Sequence, residues 1–265
     1  MKSLIKFGLI AVISLLTTAL FPASGEISEP EAKNIGHRVA AGDGEFHENL
    51  PEDSLLALRT ALIGTTDHGH PVQYNPNFYY LEFDVQETAD GYLVLFHDHT
   101  IKRMFPQNEV NSISLQNILK TVPKNYDELK IHDLTLAQLK TLVLKNSTDE
   151  RIATLDDFLQ GCLDWGLVRP IALEIKYLYS DAAREHLINA YSMFRENFLA
   201  RTRVFKSKKY DLDPSGVSFF GFGGNVKNSF DFKDAQRKTY WCDRFKEAGF
   251  PKIYQALIHW NNLCS

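Results

Sequence analysis

The sequence predicts an α/β fold in which helices cover a sheet whose strands open into a barrel mouth, and three observations lead there. Apolar strand-like segments alternate with helix-patterned segments from about residue 34 onward. The segments "YLVLFHD" and "RPIALEIK" are almost continuously hydrophobic, as strands are when both faces are covered. One strand after another also delivers ionisable residues near its C-terminal end: His37 and Arg38, Glu82 and Asp84, His97, then Glu174 and Lys176. In parallel α/β architectures that end carries the site, and in a closed eight-stranded barrel the ends of several strands converge on one point.

Taken in order, "AKNIGHR" is a short apolar entry into His37, and "PEDSLLALRTALI" follows as a helix with Leu55, Leu58 and Leu62 on one face behind an Asp53 or Ser54 cap. "FYYLEFDV" alternates, with Leu81, Phe83 and Val85 on one side and Glu82 and Asp84 on the other. "ADG" turns the chain, and "YLVLFHD" is a further strand whose hydrophobicity predicts parallel pairing under helices, although the short turn favours a local hairpin. Two helix starts follow at capping-box spacing, Thr135 with Gln138 and Thr154 with Asp157. "RPIALEIK" places Glu174 and Lys176 on one side of a strand, and "SDAAREHLINAYSMF" reads as the next helix, capped by Ser180. "GVSFFGFGG" and "FPKIYQALIHW" are candidate strands in the C-terminal third.

The chain has 265 residues, 44% hydrophobic and 23% charged, the composition of a folded globular protein. A formal net charge of -4, with no stretch that concentrates Lys and Arg among aromatics, argues against a nucleic-acid partner. "MKSLIKFGLIAVISLLTTALFPASG" has lysines at 2 and 6, an apolar run and small residues before Glu26. That layout predicts a cleavable signal over residues 1–25, a secreted or periplasmic product without a stable membrane anchor, and one domain over residues 26–265. Export places Cys162, Cys242 and Cys264 where one disulfide can form, with the pairing open; their scatter does not suit a zinc site.

Glu82 and Asp84 stand about 7 Å apart on one strand face, close enough to share a ligand and to repel. With Glu174 nearby, an all-oxygen set favours a hard divalent cation, Ca²⁺ over Mg²⁺, as cofactor. The competing reading satisfies these acids with Arg38 and Lys176 alone, which balance a crowd of three carboxylates poorly. Two histidines from different strand ends, His37 and His97, suit a reaction that removes a proton at one oxygen and delivers it at another. Arg38 offers a planar fork and Lys176 a point charge to an anionic substrate whose charge spreads during displacement at phosphorus.

"HR" followed by "PEDS", then "LEFDVQETADGYLVLFHDHTIKRM", "LTLAQL", "IATLDDFL" and "LEIK", resembles the glycerophosphodiester phosphodiesterases, and residues 80–103 look most like their periplasmic, calcium-using branch. The resemblance covers about residues 34–177. It implies a TIM (β/α)8 barrel, a divalent ion on Glu82, Asp84 and Glu174, and acid-base roles for His37 and His97. It also implies phosphate contacts from Arg38 and Lys176, and a supporting role for Glu52 of "PEDS" in the same pocket. The expected reaction is hydrolysis of a small glycerophosphodiester to glycerol 3-phosphate and an alcohol. The substrate's neighbouring hydroxyl is a candidate nucleophile, and the resemblance leaves open which histidine is acid and which is base.

The sequence departs from the family pattern in three places. Val39 stands where a Gly usually follows "HR", and "AAGDGEFHENL" lengthens the loop to Glu52, so that Glu48 and Asn49 of "HEN" offer an alternative register. After Lys176 only 89 residues remain (265 minus 176), fewer than four more strand-helix units of roughly 30 residues each require. The barrel is therefore expected to be incomplete or irregular in its C-terminal third, or the chain to be a truncated product. Two rival functions follow: a phospholipase D-like phosphodiesterase acting on lipids, and an inactive secreted protein that binds phosphodiesters.

Overall fold

The computed structural model describes residues 35–42, 44–45, 47–64, 66–67, 70–71, 78–201, 217–220, 235–250, 253–256 and 261–262. The expected signal segment 1–25 and Cys264 lie outside the described residues. The sheet runs through β1 (Leu81–Glu87), β2 (Leu93–Leu95), β3 (Ile171–Tyr177), β4 (Val217–Phe220), β5 (Ile253–Ala256) and β6 (Asn261–Asn262). Among the described residues these strands form a six-stranded sheet in the order β2-β1-β3-β4-β5-β6. Pairing is parallel from β1 through β3 and β4 to β5, and antiparallel at both ends. The α/β class is thus as expected, whereas eight strands in a closed ring are not seen among the described residues.

Two sequence expectations need correction. β2 pairs antiparallel with β1, Val85 facing Leu95 and Glu87 facing Leu93. Residues 88–92 cannot carry the crossover of a dozen or more residues that parallel pairing requires, and the hydrophobicity of "YLVLF" has another source. Val94 and Phe96 enter a second apolar cluster with Ile101, Phe105 and Leu129, while Leu93 and Leu95 face the main one. The segment around His37 is no strand either: Gly36, Arg38, Val39 and Ala40 all take left-handed backbone angles, φ 68°, 48°, 63° and 60°.

The helices that position the site follow the capping signals. Ser54 accepts from Ala57 N at 3.0 Å and starts α1 (Leu55–Ile63). The 13-residue α2 (Glu109–Thr121), which the sequence reading passed over, is capped by Asn108. α3 (Leu136–Leu139) carries the reciprocal Thr135–Gln138 box, while Thr154 alone caps α4 (Leu155–Asp164). Ser180 accepts from Ala183 N at 3.0 Å at the start of α5 (Asp181–Arg201). That start is tied to the end of β1, because buried Glu87 accepts from Ser180 N at 2.9 Å and Ser180 Oγ at 2.6 Å. An acid at a helix N-terminus also complements the helix dipole. A further helix, α6 (Ala235–Glu247), precedes β5.

The main core packs Leu81, Phe83 and Val85 of β1 and Leu173 and Ile175 of β3 against α1, α4 and α5. This disposes of the apolar faces of β1 and β3 and leaves Glu82, Asp84, Glu174 and Lys176 on the other side. Cys162 is buried and free, and Cys242 is disulfide-bonded. No helix among the described residues is long and apolar enough to cross a membrane.

Among the described glycines, Gly36 leaves the least room for a side chain. A Cβ there would lie 2.4 Å from Tyr80 O, and Gly36 O accepts from Glu82 N at 3.0 Å. Gly36→Ala is therefore expected to lose more than about 1 kcal/mol of stability from the left-handed angle alone and to displace His37. Urea unfolding of the variant checks the first effect.

Candidate active site

Glu82 and Asp84 alternate with core residues on β1, and the parallel register sets Asp84 directly beside Glu174 of β3, with small Ala172 beside Glu82. All three acids are buried, and one oxygen from each lies within 4.8 Å of the others. Lys176 Nζ bonds Glu174 Oε1 at 2.7 Å and stands 3.2 Å from Asp84 Oδ1 as an ion pair. The other contact comes from the main chain: Arg38 N donates to Glu82 Oε2 at 2.7 Å. Glu82 Oε1 accepts no hydrogen bond among the described residues, and the side-chain oxygens of Asp84 have only the Lys176 ion pair and the Asp53 side chain beside them.

Charge crowding follows from this geometry. Burial, then the neighbouring Asp84 charge, pushes both Glu82 and Glu174 above the usual carboxylate range. Burial acts in the same sense on Asp84, but Lys176, His97 and Arg38 outweigh it and hold Asp84 low. Asp53 lies behind them, with left-handed φ 53° and an Oδ1 that accepts from Asp84 N at 3.3 Å. Burial, followed by the charges of Asp84, Glu82 and Glu52, drives Asp53 well upward. One lysine and one peptide N–H leave orphaned buried oxygens, and orphaned oxygens clustered around one point are what a hard cation binds. The trio therefore fits a divalent ion better than the salt-bridged alternative, in which Lys176 would have to satisfy it alone.

A second group of side chains surrounds the first. Arg38 Nη1 donates to Glu52 Oε2 at 3.0 Å and Arg38 Nη2 to His97 Nε2 at 2.9 Å. A guanidinium only donates, so Nε2 carries the lone pair and the ring proton is on Nδ1. Nδ1–H then donates to Asp98 Oδ1 at 2.8 Å. Arg103 donates to both Asp98 oxygens and to both Glu52 oxygens. Burial pulls Asp98 upward, yet the hydrogen bonds from His97 and Arg103 outweigh it and hold Asp98 far below its ordinary value.

His37 is half-buried in the left-handed turn, with Gly42 against its ring: a Cβ on Gly42 would lie 2.7 Å from Nδ1. Burial first, then Arg38, lowers its pKa to about 4, while Asp84 opposes the shift. Those couplings place His37 within electrostatic reach of Asp84, His97 and Glu52. Val39 takes φ 63° and ψ 39° at the position where the family pattern has Gly. That backbone costs a side-chain-bearing residue roughly 1–2 kcal/mol, against roughly 1.5–3 kcal/mol from burying a Val side chain. Val39 is fully buried, so packing outweighs strain. The long loop then folds back: Glu45 accepts from the amides of His37, Gly36 and Ile35, and burial lifts its pKa to about 7.

Residues 74–222 match the model of the glycerophosphoryl diester phosphodiesterase family. The chain belongs to that family. It is accordingly a glycerophosphodiester phosphodiesterase; the family's fold is TIM-barrel-like α/β, and the chain shares its α/β class. Among similar solved structures, a glycerophosphodiester phosphodiesterase from Parabacteroides distasonis is 20% identical, with 86% of this chain and 74% of that one covered and a TM-score of 0.43. The Thermotoga maritima enzyme is 16% identical over 86% and 74%, at a TM-score of 0.41. An Oleispira antarctica phosphodiesterase in complex with the product sn-glycerol-3-phosphate is 16% identical over 86% and 85%, at 0.40. No curated protein matches the chain.

The eight residues singled out in the phosphodiesterase sequence, His37, Arg38, Glu52, Glu82, Asp84, His97, Glu174 and Lys176, are joined by the contacts and couplings given above. Glu52 holds Arg38, which favours the "PEDS" register; Glu48 is exposed. Sequence reasoning missed Asp53, Arg103 and Glu45 as members of the site, and gave Asp98, which it set with His97 at the strand end, no role. Asp53 and Asp98 had a signal, since each directly follows a named site residue in the chain.

His37 and Glu45 act oppositely on stability as pH falls. Unfolded His37 takes up a proton near 6.5 and folded His37 only near 4, so acidification through that window favours unfolding. Folded Glu45 takes up a proton near 7 and unfolded Glu45 only near 4.5, so acidification favours folding. His37→Gln removes the first effect. Its unfolding free energy is expected to gain steadily on that of the wild type as the pH of a urea-denaturation series is lowered from about 7 to 4.5, and Glu45→Gln is expected to fall behind.

Proposed function

We propose that this enzyme hydrolyses small glycerophosphodiesters to glycerol 3-phosphate and an alcohol, with a divalent ion, Ca²⁺ in preference to Mg²⁺, held by Glu82, Asp84 and Glu174. The single observation that carries the reading is the trio of buried carboxylates within 4.8 Å, with orphaned oxygens, beside two imidazoles and Arg38. A bound dication supplies Lewis-acid stabilisation of the charge that develops on the phosphoryl oxygens. Arg38 and Lys176 bind the phosphodiester oxygens, the former through its planar fork.

The two histidines take different roles because their surroundings differ. Burial keeps His37 neutral down to about pH 4, so it accepts the proton of the attacking hydroxyl, the neighbouring hydroxyl of the glycerol. Asp98 sits on Nδ1 of His97 and stabilises an imidazolium, so once the phosphate has drawn Arg38 away Nε2 takes up a proton from water and the resulting imidazolium gives it to the leaving alcohol. Attack forms a P–O bond and breaks the bond to the alcohol, leaving a cyclic phosphate. Water then opens the ring with the two roles exchanged, and glycerol 3-phosphate leaves.

The same reading takes the fold to be a (β/α)8 barrel of which the six-stranded sheet forms part. It takes residues 1–25 to direct export to the periplasm or medium, which the disulfide at Cys242 supports. The phospholipase D-like alternative keeps the acids and histidines and differs in acting on a lipid. Glycerophosphocholine assayed against lysophosphatidylcholine and sphingomyelin separates the two, and turnover of the lipids alone would overturn the proposal.

Release of glycerol 3-phosphate is expected to stop with chelator and to return with calcium. Ion binding, followed by calorimetry, is expected to tighten as pH rises, because Glu82 and Glu174 must shed protons to bind. His97→Ala is expected to lose about 100-fold or more on glycerophosphocholine and far less on the p-nitrophenyl ester, whose leaving group needs no proton. His37→Ala should lose activity on both; equal losses on both esters for the two variants would reverse or remove the assigned roles.

A further inference from the structure

Arg103 ends a 3-10 turn, Ile101–Arg103, that Ile101 anchors in the core, and touches none of the three acids of the candidate metal centre, yet every terminal nitrogen of its guanidinium is engaged. Nε and Nη2 hold the two oxygens of Asp98, the latter at 2.9 Å, while Nη1 donates to Glu52 Oε2 at 3.0 Å and Nη2 to Glu52 Oε1. Glu52 in turn accepts from Arg38, Arg38 donates to His97, and His97 donates to Asp98. Five side chains therefore close a ring, Arg38–His97–Asp98–Arg103–Glu52, with two cations and two carboxylates around a neutral imidazole.

Within that ring each member constrains the next. The side chain of Asp98 is 21% exposed, and a carboxylate on a loop turns freely unless both oxygens are held. Arg103 holds both, which fixes the acceptor that keeps the His97 proton on Nδ1 and Nε2 pointing inward. It also shares the charge of Glu52. Without it, Glu52 and Asp98 leave the ring one charge negative, and Arg38 is drawn toward them and away from a substrate phosphate. A lysine, with a single compact ammonium, cannot bridge two carboxylates in the same plane.

We propose that Arg103 is a positioning residue of the phosphodiesterase reaction: by clamping Asp98 and Glu52 together it holds His97 in one tautomer and Arg38 in register for the phosphate. The catalytic half of this statement rests on the function proposed above; the tautomer half does not, and the experiment separates them. In the intact protein, nitrogen-15 NMR of the histidine rings is expected to show His97 as a single Nδ1–H tautomer. In Arg103→Met it is expected to become a mixture. With glycerophosphocholine, Arg103→Met is expected to lose about 10- to 100-fold in kcat, with KM changed less than kcat, and guanidinium ion added to the assay should restore part of the loss. Arg103→Lys, which keeps the charge and should fold where the Met variant does not, is expected to fall between the two. An unchanged His97 tautomer with unchanged kcat in either folded variant overturns the proposal. A shifted tautomer in a protein whose wild type shows no turnover of any glycerophosphodiester would uphold the clamp and refute the function.

Discussion

Three carboxylates with oxygens inside 4.8 Å and no access to bulk water cannot all ionise without a cation among them. This constraint is imposed by strand register. Parallel pairing puts Asp84 opposite Glu174, a slip of one residue would put core side chains there, and the apolar residues that alternate with the acids hold that register. The remaining features answer the same excess of negative charge. Lys176 reaches two of the acids, the left-handed turn delivers the Arg38 amide to Glu82, and Asp53 is driven toward its neutral form. These devices reduce the repulsion without filling the oxygens' coordination, as a centre that exchanges protons for a metal ion requires.

The inner acids were legible in the sequence because period-two alternation maps directly onto a strand face. "LEFDV" and "LEIK" put their acids on one side, and helix caps such as Ser54, Thr135 and Ser180 have local signatures that survive folding. Pairing direction was less legible. The hydrophobicity of "YLVLF" comes from serving two apolar clusters, and that cannot be told from parallel burial until the turn length is weighed against it. The left-handed run at Arg38–Ala40 left no trace in composition. A Val and an Ala hold angles that usually call for Gly, and only burial of both in the core makes that tolerable. Arg103 was invisible for another reason: its partners Glu52 and Asp98 lie 51 and 5 residues away, and no spacing rule joins them.

The inner acids and the outer ring meet at Arg38, whose backbone N–H serves Glu82 while its guanidinium serves Glu52 and His97. They are supported by different parts of the core. Glu82, Asp84 and Glu174 stand on strands buried in the main cluster. Asp98 and Arg103 stand at the edge of the second cluster, where Ile101, Met104 and Phe105 are buried and Tyr126 Oη donates to Phe105 O at 2.7 Å and Lys102 O at 3.1 Å. The Asp98–Arg103–Glu52 contacts therefore bridge the two clusters. Loosening the second cluster would leave the acids in place and free the contacts on His97, so the packing of residues 94–152 supports the orientation of His97 through Arg103 while the sheet supports the candidate metal centre. Substitutions in the two clusters should accordingly act on different properties first, histidine orientation in one case and ion affinity in the other, because the two networks share the Arg38 turn and the Glu52–Asp53 pair while their other members stand on different parts of the core.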